Sequence, residues 1–161
     1  MSKLKDIETG HIDSFRVGLI VSTYNHHISS ALQEGAYGHL LKRGINKHDI
    51  SVIEVPGAIE IPLVAQWLAE SKKVDVIITL GSVIRGDTSH YDLVCESVCF
   101  GCQRVSLDHN IPVVFGVLTT ENEVQCWDRL GGKQGHKGIE AADCAIQMFQ
   151  LKNQYHPELE P

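Results

Sequence analysis

The residues best suited to chemistry lie in the segment Gly81 to Asp92, GSVIRGDTSHYD, which joins an apolar run to a helical pattern through Gly81 and Gly86. A helix start offers unpaired backbone N–H groups and the positive end of the helix dipole. The amides of Asp87 and Thr88 are therefore placed to take a phosphate or similar oxyanion. His90 falls on the first turn behind them. The same dipole disfavours imidazolium, leaving a neutral imidazole that can accept a proton near pH 7. One histidine among nine is ordinarily a surface residue, but a place beside an anion site at a strand end reverses that weighting. Neither GxxxxGK[ST] nor GxGxxG occurs, so the usual ATP and NAD signatures are missing and the anion is expected on a small metabolite.

Other candidates stand at similar junctions. Tyr24 and Asn25 follow the first apolar run, where an aromatic plate and an amide suit a planar heterocycle; a turn with Asn as helix cap explains them equally well. Glu60 in Pro56-Gly57-Ala58-Ile59-Glu60-Ile61-Pro62 is either a dipole-stabilising surface carboxylate or a hydroxyl acceptor in a pocket. Arg129 can clamp a phosphate bidentately or sit as a solvated helix-end charge. The neighbours His26 and His27 point apart on a turn and read as solvated or as supports behind a site. Cys95, Cys99 and Cys102 follow one another at helical spacing within an apolar pattern rather than in a loop knuckle, so the five cysteines read as buried free thiols and no metal is expected.

These junctions need elements to hold them. Phe15 to Val21, Ile50 to Val55, Val74 to Leu80 and Ile111 to Leu118 read as strands, the third apolar enough to be covered on both faces. Between them Ile28, Leu32, Ala36 and Leu40 mark one helix, closed by Lys42, Arg43 and Gly44. Ile61, Val64, Ala65 and Leu68 mark a second. Tyr91, Val94, Cys95, Val98, Cys99, Cys102 and Val105 form the buried face of a third. Ser89 with Asp92, and Thr120 with Glu123, have capping-box spacing, the latter opening a short helix through Trp127 and Arg129. A polar glycine-rich segment, Gly131 to Gly138, leads to a last helix buried through Ile139, Ala142, Ile146 and Phe149. Strands alternating with helices at crossover length predict a three-layer α/β/α sandwich around a four-stranded parallel sheet, flavodoxin-like. Ligands in such folds bind beyond the carboxyl ends of the strands, where all the candidates above cluster.

Composition bounds the function. The chain has 161 residues and a formal net charge of −6, with no basic run, which argues against a nucleic-acid surface. No stretch approaches a membrane span, and the N-terminus lacks a signal-peptide core, so a cytoplasmic protein without membrane contact is expected. One domain over 1–161 is expected, with an N-terminal arm over 1–14 and a loose polar tail over 153–161.

Five segments in order, Tyr24-Asn25, PGAIEIP, GSVIRGDTSHYD, IPVVFGVLTTEN and DRLGGKQGHKG, resemble the lumazine synthases of riboflavin biosynthesis, over about Phe15 to Leu151. The resemblance implies a transferase that condenses 5-amino-6-(D-ribitylamino)uracil with 3,4-dihydroxy-2-butanone 4-phosphate, giving 6,7-dimethyl-8-ribityllumazine with loss of phosphate and water and using no cofactor. It implies that Tyr24 stacks on the pyrimidine with Asn25 beside it. Ala58, Ile59 and Glu60 hold the ribityl substrate, and Ser82, Val83 and Ile84 read the pyrimidine edge. Asp87 and Thr88 bind the phosphate with Arg129 as clamp, while His90 is the acid/base. Phe115 enters from a neighbouring subunit, and Lys137 lies near the substrates. Tyr24 stands where Phe or Trp is commoner, Ile59 where an aromatic is frequent, and Asp87 contributes its amide because its carboxylate would repel phosphate.

Two alternatives share the resemblance. An archaeal-type riboflavin synthase would dismutate two lumazines, but that reaction has no use for the phosphate elements Asp87, Thr88 and Arg129. A non-catalytic flavin-binding shell protein would not require His90. For assembly, the resemblance implies homopentamers, with a pocket shared between neighbours. Gly131–Gly138 lacks the insertion associated with open assemblies, so an icosahedral shell of sixty chains is expected, with riboflavin synthase as a partner.

Overall fold

The six residues of β1 (Val17–Ser22) are all buried, because this strand lies inside a parallel sheet with helices against both faces. β2 (Ile50–Val55) and β3 (Val76–Ile84) flank it, and β4 (Val113–Thr120) pairs with β3, giving the order β2-β1-β3-β4. A computed structural model describes residues 12–156. All three pairings are parallel, with Leu19 opposite Val52 and Ile78, and Ile78 opposite Val114. The helices α1 (His26–Lys42) and α5 (Lys137–Tyr155) cover one face, and α2 (Ile61–Ser71) and α3 (His90–His109) the other. Alternation along the strands divides the core accordingly. Leu19, Val21, Ile78 and Leu80 meet Leu32, Leu40, Ala142 and Ile146, whereas Ile20 and Ile77 meet Ile61, Ala65, Val98 and Cys102. Each fully buried Leu or Ile contributes about 1.5–3 kcal/mol. The flavodoxin-like three-layer sandwich is thus what the apolar pattern demands.

The order also locates the ligand region. From β1 the chain crosses outward to β2, and from β3 it crosses the opposite way to β4, so the direction of winding reverses between β1 and β3. The loops leaving their carboxyl ends part there and open a crevice.

Several expected boundaries move. The third strand begins at Val76 rather than Val74 and continues beyond Leu80 to Ile84, because β4 supplies partners as far as the Ile84–Thr120 pair. The ladder overrides the poor strand propensity of Gly81 and Ser82. The first strand runs Val17–Ser22 instead of Phe15–Val21, and the fourth Val113–Thr120 instead of Ile111–Leu118. Neither capping box forms. Ser89 is already helical, at φ −70 and ψ 0, and caps nothing; Asp92 is drawn instead to Arg85. The short helix α4 (Glu123–Asp128) is capped by Asn122, whose side chain accepts from the Gln125 amide at 3.0 Å, and it ends one residue before Arg129.

The glycine-rich segment is not an irregular loop. Its residues make a small antiparallel hairpin of β5 (Leu130–Gly132) and β6 (Gly135–His136), with Gly131 and Gly135 at φ 98 and 77 supplying the positive-φ backbone. Helix α5 begins at Lys137 and holds Asn153 to Tyr155 in its last turn, against the expected loose tail; positions 157–161, and 1–11 of the expected arm, lie outside the described residues. Ile139 is exposed, and Phe149 stacks on Phe15 with ring centroids 4.1 Å apart. The cysteines are free, but Cys95 and Cys144 are half-buried and Cys99 is exposed rather than buried, because it lies one residue, about 100° round the helix, from Val98 at the centre of the buried face.

Candidate functional site

At the carboxyl ends of β1 and β3 lies a cavity of about 380 Å³ lined by Tyr24, Ala58, Ile59, Ser82, Val83, Ile84, Thr88 and His90, with Gly57, Gly86, Tyr91 and Val94 completing it. Each loop is anchored before it reaches the opening. The turn after β1 is knitted to the end of β2 by Thr23 N–H to Val55 O at 2.8 Å and Tyr24 N–H to Pro56 O at 3.1 Å. Those bonds leave Tyr24 72% exposed, free to cover a ligand. Asn25 takes the left-handed conformation, φ 56 and ψ 50, which Asn tolerates better than most residues. Its side chain neither caps α1 nor lines the cavity; Nδ2 donates to the Ser82 carbonyl at 3.3 Å, tying the ends of β1 and β3 together.

Pro56 and Gly57 end β2, and Ala58–Glu60 form a single 3₁₀ turn leading into α2, where Pro62 suits the first helical turn. Ala58 is buried and Ile59 half exposed, so the turn presents Ile59 as one wall. Glu60 does not line the cavity; its carboxylate folds back over Gly57, with Oε2 3.1 Å from where a Cβ would stand. That places an acceptor on the rim.

Opposite that wall, Ser82, Val83 and Ile84 are the final residues of β3 and present alternate side chains and main-chain edges to the opening. Beneath it, Ser82 Oγ lies 3.5 Å from Cys126 Sγ, which lies 3.1 Å from Thr120 Oγ1. The segment 85–89 is exposed. Among the described residues the Asp87 and Thr88 amides meet no protein acceptor, whereas the His90 amide is taken by Thr88 Oγ1 at 3.3 Å. Asp87 does not line the cavity, so its contribution is limited to the loop that borders it.

Sequence reasoning placed Tyr91 and Val94 on a buried face; both are half-buried and turn into the cavity. Their spacing at i and i+3 from a helix start is the signal that marks such a wall. Burial pushes the Tyr91 phenol above its ordinary range, with Cys95 adding to the shift. Arg85, also missed, sits over the Tyr91 ring at 4.3 Å and pairs with Glu121 at 2.7 Å and Asp92 at 3.2 Å. Hydrogen bonds to Asp92 and then Glu121 raise its pKa further. Its charge braces the loop rather than waiting for an anion.

The remaining candidates are not brought to this cavity. Phe115, Arg129 and Lys137 line a separate depression of about 370 Å³ beside the edge strand β4, with Thr119, Gln134 and Glu140. The hairpin of β5 and β6 holds the two cations together there, since the Lys137 amide donates to the Arg129 carbonyl at 2.8 Å. One chain therefore carries an aromatic and histidine half and a cationic half, on different flanks.

Among the described residues no helix is long and apolar enough to cross a membrane. The family model described as 6,7-dimethyl-8-ribityllumazine synthase matches residues 14–153. Proteins named 6,7-dimethyl-8-ribityllumazine synthase from Coxiella burnetii strains CbuG_Q212 and RSA 493 / Nine Mile phase I are each 44% identical over 138 residues, spanning 86% of this chain and 91% of theirs. The protein of that name from strain Dugway 5J108-111 matches with the same identity and coverage. With the strand-end cavity in place and the match spanning nearly the whole described chain, the protein belongs to the 6,7-dimethyl-8-ribityllumazine synthase family, and it is an enzyme.

Proposed function

We propose that the protein condenses 5-amino-6-(D-ribitylamino)uracil with 3,4-dihydroxy-2-butanone 4-phosphate to form 6,7-dimethyl-8-ribityllumazine, the penultimate step of riboflavin biosynthesis. The observation that carries this reading is the cavity that unites Tyr24, Ile59, Ser82–Ile84, Thr88 and His90 at the switch point of the sheet. Tyr24 and Ile59 sandwich the pyrimidine, the strand end of β3 reads its edge, and Glu60 on the rim accepts from ribityl hydroxyls. Asn25 acts on the site by holding the Ser82 carbonyl.

The 5-amino nitrogen attacks the ketone, and a C=N bond forms as water departs. Loss of a proton from the adjoining carbon drives the C–O bond to phosphate to break. The enol left on the hydroxyl-bearing carbon takes up a proton at its terminal CH2 and becomes a new ketone, which the ribitylamino nitrogen attacks, closing the second ring as the other water leaves. His90 carries the protons between these steps, and holding both substrates face to face supplies the proximity term. The free amides of Asp87 and Thr88 and a guanidinium stabilise the departing phosphate.

That guanidinium, Arg129, lies with Phe115 and Lys137 on the other flank of the same chain. The halves therefore meet when one copy sets its cationic flank against the cavity of the next, in a homopentamer. Pentamers assembling into a sixty-chain shell complete the reading. Incubating the purified protein with both substrates is expected to yield lumazine fluorescence. A folded sample that gives none, or one that forms riboflavin from lumazine alone, overturns the assignment.

A further inference from the structure

His136 belongs to no part of the site described above, yet it sits where three elements meet. Its imidazole Nδ1 accepts from the amides of Gly138 at 3.2 Å and Ile139 at 3.4 Å, capping α5. Both bonds converge on one ring nitrogen, so that nitrogen must be unprotonated and the proton of the neutral ring resides on Nε2. The ring lies against Gly35 of α1, where a Cβ would collide with Cε1 and come within 2.7 Å of Nδ1. Gly138 in turn brings the first turn of α5 onto α1, where its Cβ would meet the Leu32 carbonyl. His136 is also the residue of β6 that pairs with Leu130 of β5. Its immediate neighbours in this arrangement are the two cations: Lys137 follows it in the chain and bonds through its amide to Arg129.

We propose that His136 is a positioning residue that locks the hairpin and the first turn of α5 against α1, and so fixes Arg129 and Lys137 as one cationic clamp for the phosphate-bearing substrate. The inference rests on the proposed function for the identity of that substrate. Its structural part, the cap, stands apart from it. Asn supplies a side-chain acceptor at an N-cap as well as His does, whereas Ala supplies none. The variants His136→Ala and His136→Asn therefore separate the lost bond from the lost ring.

Steady-state kinetics and amide exchange, on variants verified as folded and of native mass, test the role. In His136→Ala the KM for 3,4-dihydroxy-2-butanone 4-phosphate is expected to rise about fivefold, the loss of one cap, while the KM for the pyrimidine substrate stays at the wild-type value. His136→Asn is expected to recover most of the difference. Exchange at the Gly138 and Ile139 amides speeds up in the alanine variant and returns towards wild type in the asparagine one. Equal shifts in both KM values, or an alanine variant that matches wild type, overturn the proposal. A wild-type protein that makes no lumazine defeats the functional assignment and with it the clamp, and exchange then judges the cap alone.

Discussion

His90 stands exposed on the first turn of α3, its imidazole without a protein partner among the described residues. Removing it leaves no cavity and no orphaned group, so stability and catalysis should part cleanly. His90→Ala is expected to lower turnover about a hundredfold or more, the usual scale for an acid/base group, with unfolding stability within about 0.5 kcal/mol of wild type. Lumazine fluorescence and a urea titration read the two quantities. Arg129 differs in kind, since its proposed partner is one oxyanion. Arg129→Ala is expected to act mainly through the KM for the phosphate substrate, and Arg129→Lys to rescue only part, because an ammonium lacks the planar fork. Kinetics unchanged towards the phosphate substrate, in both KM and kcat, would assign Arg129 elsewhere. At this scale the sequence was informative about which residues face the opening at the strand ends, as for Tyr24 and His90. It could not show that Asn25 spends its amide on Ser82 or that Glu60 turns over Gly57, because those orientations depend on strands distant in the chain.

Elements impose a different kind of constraint, seen best where β3 and β4 run together. Gly116 has no room for a side chain: a Cβ would stand 2.7 Å from the Thr79 carbonyl and 2.8 Å from Leu80 Cδ2. Backbone cannot yield as a flexible side chain can, so Gly116→Ala is expected to cost about 1–3 kcal/mol, read as a lower urea midpoint at unchanged slope. The sheet's other end is tied by Asp75. Burial alone would raise the pKa of its carboxyl, but hydrogen bonds from the Arg16 side chain and amide outweigh that and hold it below the ordinary 3.8. A carboxyl whose folded pKa is depressed adds stability above the unfolded value and loses it as pH falls through the folded one. Melting temperatures should therefore favour wild type over Asp75→Asn at neutral pH and converge below the 3.8 range. The apolar runs made these strands legible because both faces are covered. Their ends were not, since Gly81 and Ser82 stay in β3 only through partners on β4, and the hairpin at Leu130–His136 is too short and too glycine-rich to show a period.

For the whole molecule the question is what covers the surface it leaves apolar. On α3, Leu93, Phe100 and Leu107 recur every seventh residue and are 62%, 71% and 73% exposed, and Leu63 and Trp67 of α2 are more than half exposed. Spacing of seven keeps such residues on one stripe of a helix, and large contiguous apolar patches on a protein surface mark association sites. This stripe lies on the same side of the sheet as Ile59 and the cavity-lining Tyr91 and Val94, all carried by or abutting α2 and α3. Under the proposed assembly, the contact that buries the stripe is also the one that brings a neighbour's Phe115, Arg129 and Lys137 to His90. Mass and activity are then coupled. Phe100→Asp introduces a charge into the middle of the stripe without disturbing the core, since Phe100 contributes nothing to it. Light scattering is expected to show wild type at the mass of a sixty-chain shell and Phe100→Asp at much smaller species. The variant should lose lumazine formation in proportion to the fraction present as single chains rather than pentamers, although every proposed substrate-contacting residue remains in its chain. A fully active Phe100→Asp monomer would mean that a single chain closes its own site, and would refute the shared pocket.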